Sequence, residues 1–270
     1  MAIPLEDQFN DIIGKAMRGL ALAESVVADR AEVTAQQVQQ LRDGTWNAEA
    51  ARKVAPVLGL GAEALALAGE QSWAPEPVSL EGLAQFNTVF EDMTVNAYLV
   101  WDPASKEAAA FDTGSDAGDM MADATSRGLT IRTIFITHTH GDHIFDFDRL
   151  REKTGARAYV GEHEPLEGAE PFAASSSFEI GSLKVETRLT WGHSTGGITY
   201  FITGLARPVA IVGDAIFAGS MGGGGVSYAD ALRTNREQIL TLPKETIICP
   251  GHGPMTTVAE ELVRNPFFAR

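Results

Sequence analysis

The chain has 270 residues, enough for one large domain or two unequal ones, and with 44% apolar and 21% charged residues it has the composition of a folded protein. Its 36 Asp and Glu against 21 Lys and Arg give a net charge of −15, which repels phosphate backbones and disfavours a general nucleic-acid or anionic-membrane binder. One cysteine, Cys249, excludes an intrachain disulfide, and no secretory leader or membrane-spanning apolar stretch is visible, so a cytoplasmic chain is expected.

Residues 1–70 carry apolar positions at helical spacing: Leu20, Leu22, Val26 and Val27, then Val33, Val38 and Leu41, then Val54, Val57 and Leu58. Breaks at Gly14, Gly44 and Gly59/Gly61 divide them into four or five short helices, with Thr34 as an N-cap and Gly44 as a stop. Residues 71–79 read as a linker, because Pro75 and Pro77 hold the chain extended. From residue 80 to 270 the texture changes to β-type runs: 95–101, 107–112, 132–137, 157–160, 183–189, 198–203, 209–212 and 246–249. Helices are predicted over 116–127 and 228–240. This is an α+β pattern, a small all-α domain followed by a larger mixed one.

The run ending at Thr137 is followed at once by His138-Thr-His140-Gly-Asp142-His143. Imidazole and carboxylate are the ligands available to a first-row metal when thiolates are absent, and a loop at a strand end can converge them where a strand cannot. The same grammar recurs. Leu183–Leu189 leads to His193, the run 209–212 to Asp214, and the run 246–249 to His252. Five of the six histidines therefore fall in three of these four strand-end loops and Asp214 in the fourth, which predicts a metal site at one sheet edge.

The motifs Thr137-His138-Thr-His140-Gly-Asp142-His143, Gly192-His193, Gly213-Asp214 and Pro250-Gly251-His252-Gly253 resemble the metallo-β-lactamase superfamily. Asn96-Ala-Tyr-Leu, Phe111-Asp-Thr-Gly114, Phe217-Ala-Gly-Ser220 and the stretch from Gly251 to Thr257 are similar to its glyoxalase II-like branch. The resemblance implies a four-layer αβ/βα sandwich over residues 85–268. It implies that His138, His140 and His193 bind one divalent ion, that Asp142, His143 and His252 bind a second, and that Asp214 bridges them. Zinc is the first choice of metal, with iron and manganese compatible with the same donors. The implied reaction is hydrolysis of a small thioester or related acyl compound by a hydroxide held between the ions, with Asp142 and Asp214 as the catalytic carboxylates.

Other features divide differently. His163 lies between two glutamates in a polar loop and reads as a surface residue, Cys249 as a buried inert thiol, and Asp112-Thr-Gly114 as a strand-end turn. Ser194 is expected to hydrogen-bond behind the ligands. Gly222–Gly225 reads either as a mobile loop or as a lid near the substrate, and it departs from the branch, which has Arg and Asp there. The chain ends soon after His252, so the branch's glutathione-binding helical domain is not expected.

The helices 22–31, 34–42 and 50–60 resemble a phage-repressor-type helix-turn-helix. However, residues 1–70 hold six basic and ten acidic side chains, so docking or homo-oligomerisation is favoured over DNA. The alternatives to a thioester hydrolase are a single-iron persulfide dioxygenase, a lactonase, and a metal-dependent DNA-binding regulator. The lactonase branch carries a Tyr shortly after the bridging Asp, where this chain has Phe217.

Overall fold

Thr34 begins its helix as the sequence predicts. Its hydroxyl accepts the Gln37 N–H at 3.1 Å while the Gln37 side chain accepts the Thr34 N–H at 2.9 Å, a reciprocal cap. The computed structural model describes residues 3–269, and the amino-terminal part is five helices: α1 (Phe9–Gly19), α2 (Glu24–Ala31), α3 (Ala35–Arg42), α4 (Ala48–Val57) and α5 (Ala62–Gly69). Their apolar faces do not close on themselves alone. Ile12, Ile13, Val27, Leu41, Val54 and Leu65 share one core with Ile216, Tyr228, Ile248 and Phe267 from the far half of the chain. A backbone bond from Gly61 N–H to the Pro266 carbonyl (2.7 Å) ties the same faces together.

The strands form two six-stranded sheets. The first runs β1 (Leu83–Phe90), β2 (Met93–Trp101), β3 (Glu107–Phe111), β4 (Thr130–Ile136), β5 (Arg157–Gly161) and β6 (Glu170–Phe172), antiparallel through β3 and parallel from β3 onward. The second contains β7 (Ser177–Ile180), β8 (Leu183–Leu189), β9 (Ile198–Thr203), β10 (Val209–Gly213), β11 (Ile247–Pro250) and β12 (Thr256–Thr257). Only β10 and β11 pair in parallel there. Strand β2 is buried without alternation because both its faces are covered, whereas β8 alternates, with Leu183, Val185 and Thr187 inward.

Between the sheets lies a core centred on Phe111, Phe135 and Tyr200, whose ring centroids are 5.0–5.3 Å apart. Helices α6 (Gly118–Ser126) and α8 (Phe147–Thr154) cover the outside of the first sheet. The outside of the second is covered by α9 (Tyr228–Thr234), α10 (Val258–Arg264) and the amino-terminal five. Helix α7 (Gly141–Ile144) is a single turn at the sheet edge. The four layers are thus helix, sheet, sheet, helix.

Several expectations need correction. Strand β1 was not predicted, since Gln85, Asn87 and Thr88 break its apolar run; it forms because it is an edge strand fully registered on β2. Strands β6, β7 and β12 and helices α7, α8 and α10 are likewise additions. The helix predicted over 228–240 is α-helical only to Thr234 and widens to a π-turn over Asn235–Ile239, where the buried Asn235 side chain donates to the Ala215 carbonyl at 2.6 Å.

Candidate metal centre

Strands β3, β4, β8, β10 and β11 all point their carboxyl ends at one edge of the sandwich, and the loops that follow carry the polar side chains. The structure brings together all seven residues that the sequence nominates. His138, His140, His193 and Asp214 offer ligand atoms within 4.8 Å of one another, and so do Asp142, His143 and His252. Asp214 reaches into both groups. Its Oδ2 is 3.3 Å from His193 Nε2 and 3.4 Å from His252 Nε2, and its Oδ1 is 3.2 Å from His143 Nε2.

Approach this close needs small residues. Gly213 has φ +51°, and a Cβ there would stand 2.5 Å from Thr137 Oγ1. Gly222 is buried against the Asp214 carbonyl, where any side chain would overlap it. Within the run Gly222–Gly225, Gly222 packs into the site and the Gly223 carbonyl accepts from His193 Nδ1 at 2.9 Å, while Gly225 is exposed.

The outer nitrogens of the imidazoles are committed to acceptors, which fixes their tautomers. His252 Nδ1 donates to the Thr94 carbonyl (2.6 Å), and His143 Nδ1 donates to Asp112 Oδ2 (2.9 Å). Thr137 Oγ1 donates to the same Asp112 oxygen (2.7 Å) and so accepts from His138 Nδ1 (3.0 Å). Their Nε2 atoms therefore face inward, toward the carboxylates of Asp142 and Asp214. His138 Nε2 and His193 Nε2 stand 3.1 and 3.0 Å from His140 Nδ1, so three imidazole nitrogens converge on one point. Buried His143 Nε2 and Asp214 Oδ1 have no hydrogen-bond partner among the described residues. Such a donor set is satisfied by divalent cations, with neutral imidazole and carboxylate as ligands.

The electrostatics differ across the cluster. Burial, then the neighbouring His143, pushes His138 well below the ordinary histidine value, and burial also lowers His193. Burial acts the same way on His143 and His252, but the carboxylates override it. Asp214 and Asp112 hold His143 up at about 10, and Asp214 and Asp142 hold His252 up at about 11. Burial pushes Asp214 up, yet His252 and His143 keep it well below the carboxylate range, so it is an anion.

Two residues with a clear part in this arrangement were missed. Asp112, read as a turn residue, is 2% exposed and at φ +55°; its Oδ1 accepts the Thr137 N–H at 2.7 Å. One carboxylate thereby orients His143 directly and His138 through Thr137. Glu164 is 5% exposed and accepts from Thr139 N–H (3.2 Å), Thr139 Oγ1 (2.6 Å) and Gly196 N–H (2.9 Å), tying the loop of His140 to that of His193. Its neighbour His163 is exposed and Cys249 is buried and free.

A layered sandwich with a histidine–aspartate cluster at one sheet edge defines a class of metal-dependent enzymes. The chain belongs to the metallo-beta-lactamase superfamily, whose family model matches residues 91–252, more than half of its length. It is 31% identical over 196 residues to a probable metallo-hydrolase, YqgX, of Bacillus subtilis, an alignment covering 64% of this chain and 91% of that one. It is 33% identical over 161 residues to the hydroxyacylglutathione hydrolase of Cereibacter sphaeroides, covering 58% of this chain and 61% of that one. Among solved structures, ETHE1 from Myxococcus xanthus superposes with a TM-score of 0.60 at 25% identity, over 68% of this chain and 83% of that one. Among the described residues no helix is long and apolar enough to cross a membrane.

Proposed function

We propose that this chain is a metal-dependent hydrolase that cleaves a small thioester or related acyl compound at a site for two divalent ions, zinc being the first candidate. The observation that carries this reading is the position of Asp214, whose two oxygens lie 3.2–3.4 Å from imidazole nitrogens of both ligand groups. His138, His140 and His193 would hold one ion and Asp142, His143 and His252 the other. Bound divalent ions supply a water acidified toward neutral pH and a Lewis acid for a carbonyl oxygen. The likeness to a hydroxyacylglutathione hydrolase supports the thioester class.

The chain's own groups do the rest. Thr94, Gly223 and Asp112, the last acting on His138 through Thr137, hold four imidazoles in the tautomer that presents Nε2, so no ligand has to rotate. Burial pushes the Asp142 carboxyl up, and His252 and His143 more than reverse the push, so Asp142 is an anion able to accept a hydrogen bond from the attacking water and orient it. In hydrolysis the water oxygen bonds to the carbonyl carbon, the carbon–sulfur bond breaks, and the water's proton passes to the departing thiolate or solvent. Neither a nucleophilic side chain nor a covalent intermediate is needed.

Metal content and turnover measured on one preparation test the reading. The expected result is about two ions per chain and thiol release from a thioester, abolished by chelation and restored by zinc. One iron per chain with thiol-dependent oxygen uptake would favour the dioxygenase instead, and lactone cleavage without thioester cleavage would favour the lactonase. Activity that survives Asp214→Ala would overturn the hydrolytic mechanism itself.

A further inference from the structure

Before α1 begins, the segment from Pro4 to Gln8 runs along the rim of the metal centre. It is fastened at Asp7. That carboxylate accepts from Ser220 Oγ at 2.6 Å and pairs with Lys15, whose ammonium also donates to the Met221 carbonyl at 2.8 Å and lies 5.0 Å from the centre of the Phe217 ring. Phe217, Ser220 and Met221 belong to the loop that starts at Asp214 and ends beside His193, so the fastening point is the site's own loop. One residue earlier the segment lies against the turn that follows His252. Gly253 has φ +75°, and a Cβ there would stand 3.2 Å from Glu6 N and 3.5 Å from Glu6 Cβ.

Glu6 is the acid that this fastening leaves over. It is half-buried, yet its carboxylate makes no hydrogen bond and no ion pair among the described residues, in contrast to Asp7 beside it. Burial raises its pKa, the charge of His252 opposes that rise, and Asp214 is close enough to act on it as well. A carboxylate that has given up part of its hydration without a partner is an electrostatic demand on whatever comes next to it. Lys15 also opposes the rise, and the contact with Gly253 puts the residue beside the turn that carries His252, at the edge of the site.

We propose that Glu6 is a specificity-determining residue that selects the charge of the substrate arm lying beside His252, favouring an arm that ends in an ammonium group and disfavouring one that ends in a carboxylate. The identity of the substrate as a thioester rests on the preceding reading; the charge preference does not. The segment also lies outside residues 91–252, the part matched by the family model, so the preference is carried by residues added to the shared sandwich.

The test uses two small thiols whose sulfur ligates the metal and whose far ends differ in charge, 2-aminoethanethiol and 3-mercaptopropionate. Their dissociation constants are measured by calorimetry on the zinc-loaded wild type, Glu6→Gln and Glu6→Lys. The ratio of the two constants cancels differences in folded or loaded protein. Each unit of charge removed at Glu6 should shift the ratio about fivefold toward the anionic thiol, so that Glu6→Lys shifts it about twice as far on a logarithmic scale. A ratio that is the same in all three proteins would overturn the proposal. Thioester turnover is read separately: turnover with an unmoved ratio leaves the hydrolase reading standing without charge selection, and a moving ratio without turnover supports charge selection while the hydrolase reading falls.

Discussion

His143 and His252 are enclosed, with side chains 0% and 5% exposed, whereas His193 is 19% exposed and His140 is open to solvent. The enclosed pair is held by an aspartate and a short bond to the Thr94 carbonyl, with the Phe217 and His252 ring centroids 5.6 Å apart in a T-shaped arrangement. The open pair leans on a carbonyl from a glycine run and on a clasp between loops. Identical residue types thus make an inner half whose histidines are enclosed and an outer half in which His138 is buried while His140 and His193 face solvent. The difference teaches where control resides: the partners behind the ligands, more than the ligands themselves, set how firmly each half is held in place.

Asp214 is the one residue common to both halves, and Asp214→Ala should have the largest effect. Because losing a partner behind a metal ligand already costs roughly 10–100-fold, losing the shared ligand should lower turnover by more than about 100-fold and reduce bound metal at both positions. Metal quantitation beside a turnover assay checks this; a variant that keeps one full ion and most of its activity would show the halves to be independent. Asp112→Ala comes next. It unties His143 and, through Thr137, His138, so metal affinity should fall about 10–100-fold, while Thr137→Val, which touches only His138, should stay near the lower end.

Glu164→Gln sharpens the comparison further, since Glu164 touches only the outer half. Competition with a chelator should release the outer ion about tenfold more readily than in the wild type and leave the inner ion unchanged. Equal weakening of both ions would mean that the two halves are mechanically one.

The ligands themselves were open to reading in the sequence because each follows a β-run, and the topology sends those runs to one edge. Asp112 obeys the same rule, ending the run 107–112 as Asp214 follows the run 209–212. Asp-Thr-Gly reads equally well as a turn, and only the fold shows the Asp112 carboxylate turned back toward Thr137 and His143. Glu164 follows β5 in the same parallel set, but two glutamates around an exposed histidine look like a solvated loop. The amino-terminal helices after residue 20 were legible from periodicity and the Thr34 cap, but the break expected at Gly14 falls inside α1, and the packing partners of the helices were not legible. Nothing local in Ile12 or Leu41 points to Phe267, more than 200 residues away. The segment holding Glu6 has no periodicity at all, and its place follows only from tertiary contacts at Asp7 and Gly253.

Between the two halves runs the loop from Asp214 to Gly223, and its middle is held from behind by Glu261. This carboxyl is fully buried in α10 and takes the Gly219 N–H at 3.1–3.2 Å, Thr256 Oγ1 at 2.8 Å and Asn265 Nδ2 at 2.7 Å. Burial lifts it from 4.5 to about 8, with those donors pulling only partly against the rise. Since the folded value lies above the unfolded one, its contribution to stability is whole below pH 4.5 and is lost as pH rises through about 8. At about 1.4 kcal/mol per pKa unit, the loss amounts to a few kcal/mol. Urea denaturation from pH 5 to 9 should therefore show a declining midpoint, and Glu261→Gln should flatten that slope while changing turnover at pH 7 by no more than about twofold, because the group touches no ligand. An unchanged slope in the variant would remove Glu261 as its source. A slope that flattens together with loss of the outer ion alone would show that the loop braces His193 more than it braces His252.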